Sequence, residues 1–571
     1  MSKTAVVFPG QGSQVVGMGK DLYEKFDLAK DIYKRADEIM EMPLSKISFE
    51  GPSDLLMQTH ITQPALFVHS YILTQLIGDK IKADAYLFLC YEDKKLFDDQ
   101  IKHIQKILKT KITELNLEDF KGKTGQAALI YTNKCRIILS GLGKKENVTL
   151  EKIRVGVSRI LKKAISLKIK KVAVEILNDE SLKEGISEVA RAEAIGCILG
   201  NYHFTKYYTT KDKKDQSSIR QAVFFADKQL MEKHARELEK GVRSGSIIGN
   251  ATNYARDLGN EPSNVLYPES YCNILVEKSK EGNYTTEVLD LEDIKKLGMG
   301  AVLEVAKGSE HEPRFMIMRY NGGEEGEKPY VVIGKGVTFD SGGISLKPPA
   351  GMAMMKLDMC GSAAVAGIFE AVSKLGLKLN LVGLIPMVEN MPDGNSLKPG
   401  DVITAYNGKT IEIDNTDAEG RLILADALSY AAEFNPKSVI DMATLTGAVI
   451  VALGNVTSAV MGNNQELIDK LSVAGNETYD RVWQLPLFEE YDKLIDSDIA
   501  DVKNGGTGRQ AGTITAGMFL QRFIGDYPWA HIDIAGTAMR DSKQDFLPKY
   551  ATGAGVRLVT QYLINEEALT S

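Results

Sequence analysis

No Cys-x-x-Cys pair occurs in this chain of 571 residues, and its five cysteines (Cys90, Cys135, Cys197, Cys272 and Cys360) are dispersed. An odd, scattered set excludes a disulfide framework and reads as reduced thiols in a cytoplasm. No run of about 18 apolar residues appears, so no membrane span is expected. The opening "MSKTAVVFPGQGSQ" has too short an apolar stretch for a signal peptide, and no cleavage pattern follows it. Internal repeats and low-complexity segments are absent too. The formal net charge of −7 excludes a general nucleic-acid or membrane binder, so neither partner is expected.

What is present is ordinary globular composition, 44% hydrophobic and 25% charged, in a chain too long for one hydrophobic core. Three blocks are expected. The first, 1–84, has a short apolar strand (Ala5 to Phe8), a Gly-rich turn and helical stretches ending near "ALFVHSYILTQLIG". The second, 85–250, alternates strands ("AYLFLC", "QAALIY", "RIILSGLG", "KVAVEIL", "AVFFA") with amphipathic helices, the pattern of an α/β domain. A long helix from about 227 to 257 closes it and leads onward, stopped by the Gly and Pro of "GNEPSN". The third block, 251–571, again alternates strands ("YVVIG", "LNLVGLIPMV", "SVIDMATL", "AHIDIAG") with helices. Chemistry in open α/β sheets sits at the carboxyl ends of strands. Lysine-rich runs in the second block are read as solvated helix faces.

Two segments of the third block carry dense charge on apolar backbone. In "VVIGKGVTFDSGGISLKPPAGMAMMKLDMCG" a buried-looking strand delivers Lys335, Asp340, Lys347 and Asp358 in turn. In "IEIDNTDAEGRLILADALSYAAEF" the hairpin signal Asn407-Gly408 precedes a returning strand. Asp417 and Glu419, two apart on that strand, are expected to project to one side, and Arg421 to open the helix that follows. Carboxylates gathered in a cleft cannot all stay ionised unless cations sit among them, and divalent metals are the strongest candidates. None of the seven histidines falls in either segment, so the donor set is oxygen-rich, suiting Mg or Mn, with Zn also open. Lys335 can join such a set only as a neutral amine, while Lys347 can stay charged and polarise a substrate carbonyl. Asp414 is read as a turn residue and Lys356 as a surface charge.

The two long segments closely resemble the signatures of the leucyl aminopeptidase family, di-metal peptidases of the cytosol. "NEPSN", "DMATLTGA" and "WAHIDIAGTA" match as well, and the resemblance covers about 85 to 571. It implies an α/β fold: a smaller N-terminal α/β domain, then a larger catalytic domain with a mixed central sheet. It implies release of N-terminal amino acids, Leu and other apolar residues preferred, from peptide substrates by two-metal-activated water attack. One metal is then held by Asp340, Asp417 and Glu419, and the other by Lys335, Asp340, Asp358 and Glu419. Mn or Zn are the implied ions. Lys347 stabilises the oxyanion, and Arg421 holds a bicarbonate acting as general base. A side-chain pocket is implied at Met355, Thr444, Gly447, Ala535 and Ala538. The family's homohexamer, with active sites facing an internal cavity, is implied for this chain as well.

The first block resembles another enzyme. "FPGQGSQVVGMGKDLYEKF" and "LMQTHITQPALFVHSYIL" look like the start of malonyl-CoA:acyl-carrier-protein transacylase. That family needs a nucleophilic serine in a GHSLG-type elbow, and no such sequence occurs in this chain. Gln11, an oxyanion-hole residue by this resemblance, has no nucleophile to serve. Residues 1–84 are therefore expected to be a truncated, inactive acyltransferase-like fragment, joined near residues 83–87. A fragment of that size is expected to pack loosely.

Overall fold

The computed structural model describes residues 14–77, 83–179, 182–183, 185–210, 218–506 and 510–570. The strand expected at Ala5 to Phe8, and Gln11, lie outside them. The chain is α/β and divides into two compact units, one of Met1–Lys145, Lys163–Ser187 and Ser217–Glu239, the other of Glu146–Lys162, Glu188–Gln216 and Lys240–Ser571.

In the first unit, residues 14–77 form short helices followed by the helix Thr59–Ile77. They enclose their own apolar cluster, in which Tyr33, Leu44, Ala65 and Ile72 are fully buried. A five-stranded sheet follows: β1 (Ala85–Tyr91), β2 (Ala127–Tyr131), β3 (Arg136–Gly143), β4 (Lys171–Glu175) and β5 (Gln221–Phe225), in the order β2-β3-β1-β4-β5. β1 runs parallel to both β3 and β4, and β5 parallel to β4, while β2 is antiparallel to β3. The helix Lys94–Leu108 buries Phe97, Ile101 and Ile104, an i, i+4, i+7 stripe, against this sheet's core. The long helix begins at Lys228, runs to Asn260, and bends at His234, where φ is −132°.

The second unit is built on a mixed sheet. Its strands are β6 (Thr285–Leu289), β7 (Arg314–Asn321), β8 (Tyr330–Gly334), β9 (Gly336–Asp340) and β10 (Asn380–Asn390), then, after the hairpin β11 (Val402–Thr404) and β12 (Thr410–Glu412), β13 (Ser438–Ala443), β14 (Ser458–Gly462) and β15 (Val482–Gln484). β16 (Val502–Lys503) joins the hairpin, and β17 (Trp529–Asp533) completes the main sheet, in the order β15-β14-β17-β13-β8-β10-β7-β6 with β9 paired to β10. The centre, β17-β13-β8-β10, is parallel, and β7 and β14 run antiparallel outside it. Parallel strands covered on both faces read as unbroken apolar runs, and β8, β13 and β17 are buried at every residue.

The stretch Met352–Leu375 is long and apolar enough to pass as a membrane span, but 72% of that window is buried inside the fold. It comprises a 3-10 turn and the core helix Cys360–Leu375, whose residues 360–372 are all buried. The Asn407-Gly408 signal does make a hairpin, with Gly408 at φ +84° and Thr404 opposite Thr410. The returning strand is shorter than its alternation suggested. It ends at Glu412, and Glu419 is already the first residue of the helix Glu419–Ala431. Asp417 and Glu419 therefore do not share a strand face. A turn pinned by side-chain hydrogen bonds replaces the strand.

Beneath that helix, β13 and β17 bring together a fully buried polar trio. Asp441 accepts from Trp529 Nε1 at 2.7 Å and pairs with His531 Nδ1 at 2.5 Å. Burial opposes a charge on His531, but the Asp441 carboxylate outweighs it and holds the imidazole above its ordinary pKa. Removing one partner of a buried pair leaves the other uncompensated, at a cost of about 3–5 kcal/mol. Asp441→Ala should lower the urea midpoint of the unfolding transition that tracks Trp529 fluorescence. A midpoint equal to the parent's would show the pair adds nothing.

Candidate metal centre

The charged residues arrive from four separate segments. β8 delivers Lys335 at its carboxyl end, and β9 runs parallel to β10 as far as the pair Asp340–Asn390. Asp358 follows the 3-10 turn Met352–Leu357, just before the core helix. Glu419 opens its helix, and Asp417 sits in the turn before it.

That turn is held from a distance. Asn504 Oδ1 accepts from the backbone N–H of Asp414 (2.8 Å) and Asn415 (3.2 Å), and its Nδ2 donates to Asn415 O at 2.7 Å. Asn390 does the same for β9, donating to Asp340 Oδ1 at 2.9 Å and to Thr416 O at 3.0 Å. Asp340 Oδ1 also accepts from Gly342 N, in a turn where Gly342 has φ +88° and an added Cβ would stand 2.5 Å from Ser345 O. Asn390, Thr416 and Asn504 were absent from the sequence reading.

Asp340, Asp358 and Glu419 each place a carboxylate oxygen within 4.8 Å of the others, and all three residues are at most 5% exposed. Lys335 Nζ lies 2.7 Å from Asp358 Oδ2 and 2.8 Å from Glu419 Oε1, and donates to Thr444 O at 3.0 Å. Lys347 Nζ lies 2.6 Å from Asp340 Oδ2 and also contacts Asp417. Asp417 is thus joined to the cluster through Lys347 rather than standing in its tight centre, and it is about a third exposed.

Burial, then the Glu419 charge, push the Asp340 carboxyl above its usual range against the pull of Lys347 and Lys335. Burial dominates at Asp358 as well, raising it strongly although Lys335 opposes the shift. The lysines are raised as well, which for them keeps the proton on. Burial disfavours their charge, but Asp358 and Glu419 around Lys335, and Asp340 and Glu419 around Lys347, more than compensate.

Two kinds of contact must be told apart here. Asp358 Oδ2 and Glu419 Oε1 lie within ion-pair distance of Lys335, yet neither forms an aligned hydrogen bond, and Glu419 Oε2 has no hydrogen-bond partner among the described residues. Buried oxygens without aligned donors are what a hard divalent cation needs, so the donor set fits such an ion.

Arg421, 8% exposed, donates from Nη1 to Asn504 O at 2.8 Å, while its Nε has no hydrogen-bond partner among the described residues. Burial pulls its pKa down to about 10, with Glu419 and Asp533 resisting.

The five expected pocket residues fall in different settings. Thr444 Oγ1 donates to Asp358 Oδ1 at 2.8 Å, so it belongs to the acid cluster itself. Gly447 opens a helix, and a Cβ there would meet nothing within 4 Å. Met355 is half-buried in the 3-10 turn. Ala535 packs with Val449 and Ala459, whereas Ala538, 1% exposed, belongs to the large core cluster. Asp533, another residue missed from sequence, ties the first group together by accepting from Leu445 N, Ala535 N and Thr446 Oγ1. The surface role expected for Lys356 is wrong: it is half-buried and donates to Asn260 O at 2.7 Å, a partner 96 residues away.

Residues 253–560 match the profile of the cytosol aminopeptidase family's catalytic domain, and residues 87–211 that of its N-terminal domain. The chain belongs to the cytosol aminopeptidase family. Among its relatives, a probable cytosol aminopeptidase of Alkaliphilus oremlandii is 42% identical over 493 residues, 85% of this chain and 97% of the relative. The cytosol aminopeptidase of Pseudomonas aeruginosa is 45% identical over 453 residues, 78% and 89% of the two chains. A solved structure titled bottromycin maturation enzyme BotP in complex with Mn superposes with a TM-score of 0.75 at 29% identity, covering 86% of this chain and 100% of that one. Residues 5–77 match an acyl transferase domain, in keeping with the resemblance of the first block. The protein is accordingly an aminopeptidase, with a buried acidic cluster in its catalytic unit.

Gly420 offers a direct probe of the acidic cluster. A Cβ at this position would lie 2.6 Å from Lys335 Cε and 2.7 Å from its Nζ. The lysine end is flexible, so it yields and the fold survives. Gly420→Ala should cut aminopeptidase turnover by at least about tenfold, ~1.4 kcal/mol in activation free energy, with the melting temperature little changed. Unchanged turnover would show that Lys335 need not sit between Asp358 and Glu419.

Proposed function

We propose that the protein is a divalent-metal-dependent leucyl aminopeptidase that releases apolar N-terminal residues from peptides. The observation that supports this most is the buried set of Asp340, Asp358 and Glu419, with oxygens that lack aligned hydrogen bonds. Asp340, Asp417 and Glu419 hold one ion, and Lys335 (as the neutral amine), Asp340, Asp358 and Glu419 hold the other, Mn or Zn. Bound there, the ions supply Lewis-acid chemistry, lowering the pKa of water and polarising a peptide carbonyl.

The chain's own residues do the rest. Asn390 and Thr444 orient Asp340 and Asp358 through hydrogen bonds, which fixes which oxygen each carboxylate presents. Lys347 keeps its proton and lies where it can steady the oxygen that gains negative charge as the peptide bond is attacked. Arg421 carries an N–H without a partner on a helix whose first residue is Glu419, and it holds a bicarbonate that accepts a proton. Thr444, Gly447, Met355, Ala535 and Ala538 shape the side-chain pocket. The same reading makes the enzyme a cytoplasmic homohexamer acting on peptides, with no membrane or nucleic-acid partner. Residues 1–84 are a fragment without transferase activity.

Hydrolysis of leucine p-nitroanilide should vanish on chelation and return with added Mn or Zn. Asp358→Ala should lose both activity and bound metal while remaining folded. Full activity of the chelated protein, or of Asp358→Ala at unchanged metal content, would refute the assignment.

Gly447→Leu tests the pocket where the structure leaves room for a side chain. It should reduce turnover of leucine substrates about tenfold more than that of alanine substrates, the scale of one or two methylenes in a pocket. Equal losses would place Gly447 outside it.

A further inference from the structure

The first unit contains a cavity of about 240 Å³ that the peptidase chemistry does not use. It opens at the carboxyl ends of β1, β4 and β5 and is lined by Phe88–Leu89, Glu175–Asn178 and Asp227, with Leu96 and Ile104 from the helix Lys94–Leu108. From β1 the chain leaves by that helix to form β2 and then β3 on one side, and crosses from β3 to β4 on the other. That is a topological switch point, where the strand ends of an open α/β sheet leave a crevice for a ligand.

The floor of the crevice is rigid. Gln100 accepts from Tyr91 N at 2.9 Å and donates to Leu89 O at 3.2 Å, locking the helix to the end of β1. Asp227 Oδ1 caps Leu230 N, while its Oδ2 accepts from Asn178 Nδ2. Glu175 pairs with His103 at 2.7 Å. Phe88, Leu96, Ile104 and Leu177 supply an apolar wall.

Charge decides the class of ligand. Asp99, Glu175 and Asp227 line the cavity against Lys145 and His103, and Lys145 is itself held by Asp179 at 3.1 Å. Asp99 is paired with Lys102 and Glu175 with His103, which leaves Asp227 as the acid of the lining that no cation meets among the described residues. Beside an apolar wall it favours an ammonium group on an apolar body. The volume lies below the ~300–1,000 Å³ of drug-sized sites and suits a molecule no larger than a single amino acid.

We propose that this crevice binds a free apolar α-amino acid, ammonium toward Asp227, carboxylate toward Lys145 and side chain against Phe88, Leu96 and Ile104, as an effector site separate from the metal centre. That the occupant is the enzyme's own product rests on the peptidase reading above. The binding itself does not.

The test uses the full chain stripped of metal with chelator, titrated calorimetrically with L-leucine. One saturable site per chain is expected. Leu96→Trp, which fills the cavity, and Asp227→Ala, which removes the acid, should each weaken it by roughly tenfold or more. Asp227→Asn, which keeps the cap on Leu230, serves as the milder variant should Asp227→Ala unfold. Asp358→Ala should leave binding intact. Isopentylamine should bind, and 4-methylpentanoate, which lacks the ammonium, should not. Absence of saturable binding would overturn the proposal. So would binding that survives Leu96→Trp but is lost in Asp358→Ala, or 4-methylpentanoate binding as well as leucine. Hydrolysis assayed separately shows whether the peptidase reading fails on its own account.

Discussion

Mutual repulsion among buried carboxylates is the constraint on which the catalytic unit turns. Asp340, Asp358 and Glu419 are nearly inaccessible to water and close enough to disfavour one another's charge. Solvent cannot screen them, so compensation must come from positive charge built into the same space. Lys347 provides part of it between Asp340 and Asp417, and Lys335 does so between Asp358 and Glu419 as long as it keeps its proton. The oxygens still without aligned donors mark what remains for an ion. The architecture serves that balance. In the parallel sheet centre β8 and then β9 run along β10 in succession, β9 ending beside it at Asp340–Asn390, and two helices begin at or just after the acids at its edge.

The supporting polar groups are as specific as the acids. Asn390 and Asn504 each join segments far apart in sequence, and Asp533 gathers three donors from the loops carrying Thr444, Gly447 and Ala535. Each buried amide or carboxylate is satisfied by backbone groups that would otherwise lack partners, so the turns they hold have little freedom to rearrange.

The main strands were legible because buried parallel strands carry apolar runs, unbroken in β1 and β8, spanning 381–388 of β10, and interrupted in β13 and β17 by the buried Asp441, His531 and Asp533. The acids were legible because charge on apolar backbone is rare. The turn at 413–418 was not: "TIEIDNTDAEG" alternates like a strand, and the contacts that break the alternation come from Asn504, some ninety residues on. Asn390, Asn504 and Asp533 share one reason for escaping notice. A neutral amide or a single acid at a strand end looks like any turn residue until its distant partners are placed. Lys356 was misread likewise, since only the fold brings Asn260 to it. The crevice of the first unit could not be foreseen at all, because a cavity belongs to no single segment.

Asn504 sets an order of events during synthesis. The turn bearing Asp417 and the guanidinium of Arg421 both depend on it, yet it emerges from the ribosome after every acid of the cluster. Until that amide docks, the acids sit on a growing chain with no defined cage, and contacts of such long separation are slow to close. Closure of the acid cage is therefore a late step of folding, gated by a neutral side chain that stands outside it.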